Sequence, residues 1–258
     1  MKKFFNRIIS TAKESLIFAK RALIKMCRTP EQLIDITLMP IMFTLVFTFV
    51  FGGAIAGNWL DYLPIIIPGI LVQTFVTSCG VSASQIREDM DKATTKRFKA
   101  MPISRVAPVA GILIADLPRF AVAGTVVFLL GVILGFRAGF FAIVFSILFM
   151  MLVGWCLSWL FAWVGLKAKS AGAAQAISML IMFPLTFFSN ALVTSEAMPK
   201  PLAFFVDNIN PISKAVSAVR EMLMFGTLGA DFGWAVLGSC VILALFIPMA
   251  ISAYKKRA

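Results

Sequence analysis

The chain has 258 residues, of which 60% are apolar and 14% charged, with a formal net charge of +12 and a mean hydropathy of +0.93. In soluble globular domains about a quarter of the residues are charged, so this composition excludes that class. The chain contains no histidine, which excludes histidine triads, histidine-ligated metals and imidazole proton relays.

Residues 1–30 are predicted to form an amphipathic helix. Apolar residues recur at helical spacing from Phe4 to Leu23, and lysines and arginines occupy the other positions around the helix. Such a helix lies in the headgroup plane of a membrane with its apolar face at the acyl boundary. The basic region is not followed by the apolar core of about 7–15 residues that marks a signal peptide, so we expect the segment to be retained.

Six apolar segments follow, each about 20 residues or longer. That length is enough for a helix to cross roughly 30 Å of hydrocarbon. The predicted spans are residues 35–56, 63–84, 109–136, 140–166, 172–193 and 234–254. The sequence therefore predicts an all-α integral membrane protein with six transmembrane helices.

A charged stretch, "REDMDKATTKRFKAMPISR", lies in the loop 85–107 between the second and third predicted spans. Before Pro102 it contains good helix formers and mixed charges, and it carries the bulky apolar residues Met90, Phe98 and Met101. A short helix that presents Phe98 between basic residues suits the groove of a partner protein. The alternative, a solvated loop at the headgroups, is left open by the residues themselves.

The third span contains two opposite charges in "IADLPRF", Asp116 and Arg119. They are three residues apart, so they can pair on one face of a helix. We predict a structural ion pair near the headgroups. The alternative is a role in substrate binding or ion coupling, as in a gradient-driven carrier.

The segment 194–230, between the fifth and sixth spans, is interrupted by Pro199, Pro201 and Pro211. It is too broken and too polar to span a membrane. It is either a set of short re-entrant helices or an ordinary interfacial loop.

The basic residues predict the orientation of the spans. Eight of the 24 lysines and arginines precede the first span, six lie in the loop 85–107, two in the turn 167–169 and three in the C-terminal tail. Only Arg137, Lys200, Lys214 and Arg220 lie on the other side. The positive-inside rule puts both termini and the loop 85–107 in the cytoplasm. Because topology accounts for the positive charge, we do not expect nucleic-acid binding.

The sequence provides no catalytic or metal-binding motif. It has no GxxxxGK[ST] loop to hold ATP phosphates, and its four cysteines are scattered without CxxC spacing. The chain is therefore not expected to be an enzyme by itself or to bind a cofactor. The energy for any transport must come from another chain or from an ion gradient.

Three stretches resemble the permease subunits of type-2 ABC exporters, and within them the daunorubicin/doxorubicin-resistance permease group. They are "REDMDKATTKRFKAMPISRVAPVAGILIADL" (87–117), "LPIIIPGILVQT" (63–74) and "FPLTFFSNALVTSEAMPKPLAFFVDNINPISKAVSAVREML" (183–223). The first stretch shows the acidic helix start, Arg97-Phe98, the Pro102 to Arg105 motif, Gly111 and Asp116. Departures from the group are Ala93 in place of glycine, Ile112 in place of a basic residue, and Lys200-Pro201 in place of Gly-Trp.

The resemblance implies a role for two sets of residues. The segment 85–101 resembles the coupling helix that docks on a separate ATPase subunit, which would bind ATP and Mg. Its predicted coupling residues are Arg87, Glu88, Asp89, Met90, Asp91, Arg97, Phe98, Lys99 and Met101. The segment 194–230 resembles the re-entrant outer-face helices. Its predicted gate residues, with the end of the fifth span, are Ser189, Asn190, Met198, Pro199, Asn210 and Pro211.

The resemblance further implies a homodimer of permeases in the bacterial cytoplasmic membrane, in contact with membrane lipids and a small hydrophobic substrate. We expect ATP-driven export of a hydrophobic or amphipathic, drug- or antibiotic-like compound. The alternative with the same architecture is export of a lipid or a lipid-linked glycan. A gradient-driven carrier and a membrane-embedded lipid enzyme are remote alternatives. The enzyme would need a cluster of polar catalytic groups at one membrane face, and the acidic residues are scattered.

Overall fold

A computed structural model describes residues 2–28, 30–91, 106–193, 195–208 and 210–257. Within these ranges the chain is helical and contains no strand. The helices are α1 (Lys2–Cys27), α2 (Pro30–Val46), a π-helical stretch (Phe47–Phe51), α3 (Gly52–Ala56), α4 (Trp59–Asp91), α5 (Ala107–Ile133), α6 (Phe140–Lys167), α7 (Ala171–Phe187), a 3-10 turn (Ser195–Ala197), α8 (Lys200–Asn208), α9 (Pro211–Phe225) and α10 (Ala230–Arg257).

Five of these helical segments are long and apolar enough to cross a membrane. They are Ile36–Ala56, Trp59–Asp91, Ala107–Ile133, Phe140–Lys167 and Ala230–Tyr254. Helix α7 is also apolar, but it has 17 residues and is therefore about 26 Å long at 1.5 Å per residue. The chain is an all-helical protein with at least five candidate membrane spans.

Helix α4 is the central helix of the bundle. It packs against α2, α5, α6, α7 and α9. In its most apolar stretch of 18 residues 72% of the residues are buried, against 17% in the corresponding stretch of α10. Two glycines allow neighbouring segments to approach closely: a side chain at Gly69 would collide with the carbonyl of Ala191, and one at Gly165 of α6 with that of Ala83. The peripheral helices expose apolar side chains, as expected for a bundle surrounded by lipid.

The contacts define two ends of the bundle. At the first, called the basic end, Lys25 of α1 meets Asp89 of α4, and Arg87 donates a hydrogen bond to the carbonyl of Ala168, between α6 and α7. At the opposite end, the hydroxyl of Tyr62 in α4 donates to the carbonyl of Leu192, just after α7. The C-terminal helix returns to the basic end, where Tyr254 packs in one cluster with residues of α4, α5 and α6.

The predicted boundary between the second span and the charged loop is not a helix boundary. Helix α4 runs from Trp59 to Asp91, so residues 85–91 are its last two turns. They remain helical because Ile86 is buried and Met90 packs against the same apolar cluster as Val109. The rest of the loop, residues 92–105, lies outside the described residues.

Candidate functional site

The C-terminal turns of α4 place five of the predicted coupling residues, Arg87 to Asp91, at the basic end. Arg87 forms an ion pair with Asp91 one turn later, and its Nη1 donates to the Ala168 carbonyl at 3.0 Å. Met90 turns towards the apolar cluster between α4, α5 and α10. The other predicted coupling residues, Arg97, Phe98, Lys99 and Met101, lie outside the described residues.

Lys25 connects helix α1 to this end of α4. Its Nζ lies 3.3 Å from Asp89 Oδ1 and 3.8 Å from Glu88 Oε2. All three side chains are partly solvated, with 39% of Lys25 exposed, so each pair contributes about 1 kcal/mol or less. The acidic start of the charged stretch is thus in contact with the N-terminal helix, a connection that the sequence did not predict.

Helix α1 also packs closely along α5. A side chain at Gly111 of α5 would collide with Phe18 and lie 2.8 Å from the carbonyl of Ser15. The glycine therefore allows the backbones of α1 and α5 to approach. Its position explains why the motif that ends in "AGILIADL" places a glycine five residues before Asp116.

Asp116 and Arg119 form a buried ion pair on α5. Arg119 Nη1 lies 3.3 Å from Asp116 Oδ1, and the two residues are 3% and 2% exposed. The pair contacts α4 on both sides: Ser82 Oγ donates to Asp116 Oδ2 at 2.6 Å, and Arg119 Nη2 donates to the carbonyl of Ser78. These bonds compensate part of the cost of burying two charges. They also fix α5 to α4.

The pair lies well inside α5. Asp116 lies nine residues after the start of α5, or about 14 Å along the helix, and its side chain points into the bundle. Its partners Ser78 and Ser82 were not predicted. Their signal in the sequence is two small hydroxyl residues at spacing i, i+4 in an apolar span, which is a common pattern in membrane helices.

At the opposite end a row of polar residues follows one face of α9. Asn210, Ser213, Ser217 and Arg220 have helical spacing, and all of them except Ser213 form hydrogen bonds with the segment 185–192; we call these four residues the polar seam. Asn210 caps α9 by accepting a hydrogen bond from the Ile212 amide. Its Nδ2 also donates to the carbonyls of Leu185 and Phe188, at 2.9 and 2.6 Å. Asn210 thereby satisfies carbonyls at the end of α7.

Arg220 attaches the non-helical chain after α7 to α4. Its Nη2 donates to the carbonyls of Ile65 in α4, at 3.2 Å, and Asn190, at 3.0 Å. The Asn190 side chain in turn donates to Ser217 Oγ at 2.8 Å. With the Tyr62–Leu192 hydrogen bond of 2.7 Å, these contacts fix residues 188–193 between α4 and α9.

Comparison with known proteins gives the family. The ABC-2 type transporter family matches residues 14–225 of the chain, which is most of its length. The chain belongs to the ABC-2 type transporter family. It is also 38% identical over 240 residues to the daunorubicin resistance ABC transporter permease protein DrrB1 of Streptomyces coeruleorubidus; the match covers 92% of this chain and 84% of that protein. The family resemblance stated from the three motifs is therefore confirmed.

Membership establishes the general character of this ABC-2 permease. It is a multi-pass membrane protein of a transporter family, and the family implies an ATP-binding partner subunit. The part of the chain that the structure describes contains no group of three histidine, cysteine or acidic residues that could hold a metal ion.

The predicted gate residues of the permease fall into two groups. The polar seam, residues 188–193 and Tyr62 form a hydrogen-bonded network at the opposite end. Three of the predicted gate residues belong to it, Ser189, Asn190 and Asn210, and Pro211 adjoins it as the first residue of α9. Ser189 accepts a hydrogen bond from the Ala191 amide at 3.2 Å. Met198 and Pro199 lie in the turn before α8, outside the network. Four residues that contact the segment 188–193 were not predicted as gate residues: Tyr62, Gly69, Ser217 and Arg220.

Proposed function

We propose that this permease is the membrane-spanning subunit of an ATP-driven exporter. It would move a hydrophobic or amphipathic, drug-like compound out across the bacterial cytoplasmic membrane. The observation that carries the proposal is the similarity to a permease named for daunorubicin resistance, 38% identical over 92% of this chain. The separate ATPase would bind ATP and Mg, since this chain has no phosphate-binding loop.

The buried charges favour an external ATPase over an ion gradient. Among the described residues, Asp116 and Arg119 are the fully buried charged side chains, and they neutralise each other at 3.3 Å. Gradient-driven carriers use ionisable groups in the membrane to bind the coupling ion. An acidic residue already bonded to Arg119 and Ser82 is better suited to holding two helices together.

We further propose that α7 is a sixth span and that the basic end is cytoplasmic. Helix α7 follows Ala168, which Arg87 contacts at the basic end, and leads to Leu192, which Tyr62 contacts at the opposite end. A sixth crossing also agrees with α1 and Tyr254 lying at the same end. Nineteen of the 24 basic residues belong to the segments assigned to this end, so the positive-inside rule places both termini in the cytoplasm.

The route of coupling follows from the continuity of α4. A movement of the segment 85–101 on the ATPase would act directly on the last turns of α4. Because α4 is one helix from Asp91 to Trp59, the movement reaches the opposite end, where Ile65 binds Arg220. The Asp116–Arg119 pair makes α5 move with α4. ATP binding at one end would thus open or close the polar seam and the segment 188–193 at the other.

A second copy of the permease would cover part of the exposed apolar surface. Helix α7 packs against α4 and α6 and leaves Leu180 75% exposed and Phe183 62% exposed. The first span likewise exposes Phe49 and Val50 in its π-helical stretch. We propose that these faces meet across a homodimer, that the substrate passes between the copies, and that membrane lipids cover the remaining apolar surface.

The test is co-purification with the ATPase encoded next to the permease. We expect the wild-type permease to retain the ATPase, and the double variant Arg97→Glu, Phe98→Ala to lose it or to lose substrate-stimulated ATP hydrolysis. The matched control is Arg137→Glu, Phe140→Ala, which makes the same two changes at exposed positions at the opposite end. Absence of a bound ATPase in every condition would contradict the proposal. Equal losses in both double variants would contradict the assignment of the coupling segment.

A further inference from the structure

A groove lies at the basic end between α1, α4, α5 and α10. Its lining is mainly apolar and includes Phe18 of α1, Met90 of α4, Val109 of α5 and Tyr254 of α10. Three charged residues also line it: Asp89 of α4 and two basic residues of α1, Arg21 and Lys25. Arg21 and Lys25 are four residues apart, so their side chains extend from the same face of the helix.

Helix α1 forms one wall of the groove, and we expect this helix to lie at the level of the lipid headgroups. Helix α1 exposes Leu16, Ile17 and Ile24, with Ile17 70% exposed, and it also exposes Lys13 and Lys20. An amphipathic helix with apolar and basic residues exposed together binds at a membrane interface. At that depth, a groove with an apolar floor and a cationic edge meets both the acyl chain and the phosphate of a lipid.

We propose that this groove is a specific binding site for an anionic phospholipid. Arg21 and Lys25 would bind the phosphate, and the glycerol backbone and first acyl carbons would lie along Phe18, Val109 and Met90. The charge of α1 favours an anionic headgroup, because the first 28 residues contain eight basic residues and one acidic residue, Glu14. Within the groove itself, Arg21 and Lys25 outnumber the one acidic residue, Asp89. The inference rests on the proposed position of α1 at the membrane surface, and it does not depend on the transported compound.

Binding of a lipid here would act on the coupling region. Lys25 already contacts Asp89 at 3.3 Å and Glu88 at 3.8 Å, both in the last turns of α4. A lysine ammonium has three donors, so it can contact a lipid phosphate and Asp89 at the same time. The bound lipid would thus strengthen the connection between α1 and the last turns of α4, which are the first part of the segment 85–101.

The experiment measures lipid retention and thermal stability of the full-length permease in detergent. Mixed micelles contain either dioleoyl-phosphatidylglycerol or dioleoyl-phosphatidylcholine, with inorganic phosphate as a further arm. We expect phosphatidylglycerol to be retained in native mass spectra and to raise the Tm. Phosphatidylcholine and inorganic phosphate should do neither. In the variant Arg21→Gln, Lys25→Gln, the affinity for phosphatidylglycerol should fall by about tenfold or more.

Two further variants distinguish a site from diffuse attraction. Lys13→Gln, Lys20→Gln removes the same charge from exposed positions of α1 outside the groove, and it should retain the lipid. Ala22→Phe fills the groove without a change of charge, and it should lose the lipid-dependent rise in Tm. Equal loss in both charge variants, or an equal response to both phospholipids, would overturn the proposal. Neither result affects co-purification of the ATPase, so the exporter proposal would be judged separately.

Discussion

The two ends of α4 are attached to their neighbours by different interactions. At the basic end, α4 is held to α1 by ion pairs between partly solvated side chains, Lys25 with Asp89 and with Glu88, beside one hydrogen bond from Arg87 to the carbonyl of Ala168. At the opposite end, buried or half-buried side chains donate to backbone carbonyls, as Arg220 does to Ile65 and Asn190. Solvated ion pairs are weak and exchangeable, whereas a buried polar group without a partner is costly. The weak, solvated ion pairs suit an end that binds a partner protein. The buried hydrogen bonds suit an end whose segments remain packed together.

The largest effect should come from the buried pair between these ends. In Asp116→Ala the Arg119 charge remains buried without its partner, which costs about 3–5 kcal/mol. We expect poor recovery of the variant and a large drop in Tm in detergent. The double variant Asp116→Ala, Arg119→Met removes both charges and should recover much of the stability.

A double variant as unstable as the single variant would show that the pair has a different role. If Asp116→Asn kept the Tm of the wild type but lost transport, the result would indicate ion coupling instead. Both outcomes would contradict the assignment of Asp116 to a structural pair that joins α5 to α4.

A smaller effect is expected at the opposite end. Arg220→Met removes the Nη2 donor that the carbonyls of Ile65 and Asn190 share, and because Arg220 is only half-buried we expect a loss of about 1.5–3 kcal/mol in total. We expect a lower Tm and faster labelling of a cysteine introduced at Ala191, which is buried in the wild type. Lys200→Met, at an exposed position of α8, is the matched control. Unchanged labelling in Arg220→Met would mean that Arg220 does not hold the segment 188–193.

The smallest effect is expected from the ion pair at the basic end. Lys25→Gln removes contacts to Asp89 and Glu88 that are worth about 1 kcal/mol or less. The Tm should fall slightly at low ionic strength, and the difference from the wild type should shrink in high salt. A fall in Tm that is independent of salt and as large as that of Arg220→Met would remove the distinction between the two ends.

The sequence predicted the class of fold and the ion pair for identifiable reasons. Apolar runs of about 20 residues indicate membrane helices directly, and the spacing of Asp116 and Arg119 determines that they can pair within one helix. The end of α4 could not be predicted from hydropathy, which falls at Gln85. The helix continues to Asp91 because its apolar residues find tertiary contacts, and a membrane boundary is not a helix boundary.

The network at the opposite end was predicted only in part. Asn190 and Asn210 came from the family resemblance, but their partners are distant in the chain: Arg220 contacts Ile65, 155 residues away, and Tyr62 contacts Leu192, 130 residues away. Such contacts depend on how the helices pack, and no local pattern encodes them. Gly69 is a similar case, because its close approach to Ala191 appears only when α4 and the segment after α7 are placed together.

The most direct test of ATP-driven export is transport in proteoliposomes that contain the permease and its cognate ATPase. Daunorubicin, the compound in the name of the similar permease, is the first probe. We predict that the probe moves only with Mg-ATP on the side of the ATPase, and that the variant Arg97→Glu, Phe98→Ala abolishes the movement. Transport driven by an ion gradient without the ATPase would contradict this prediction.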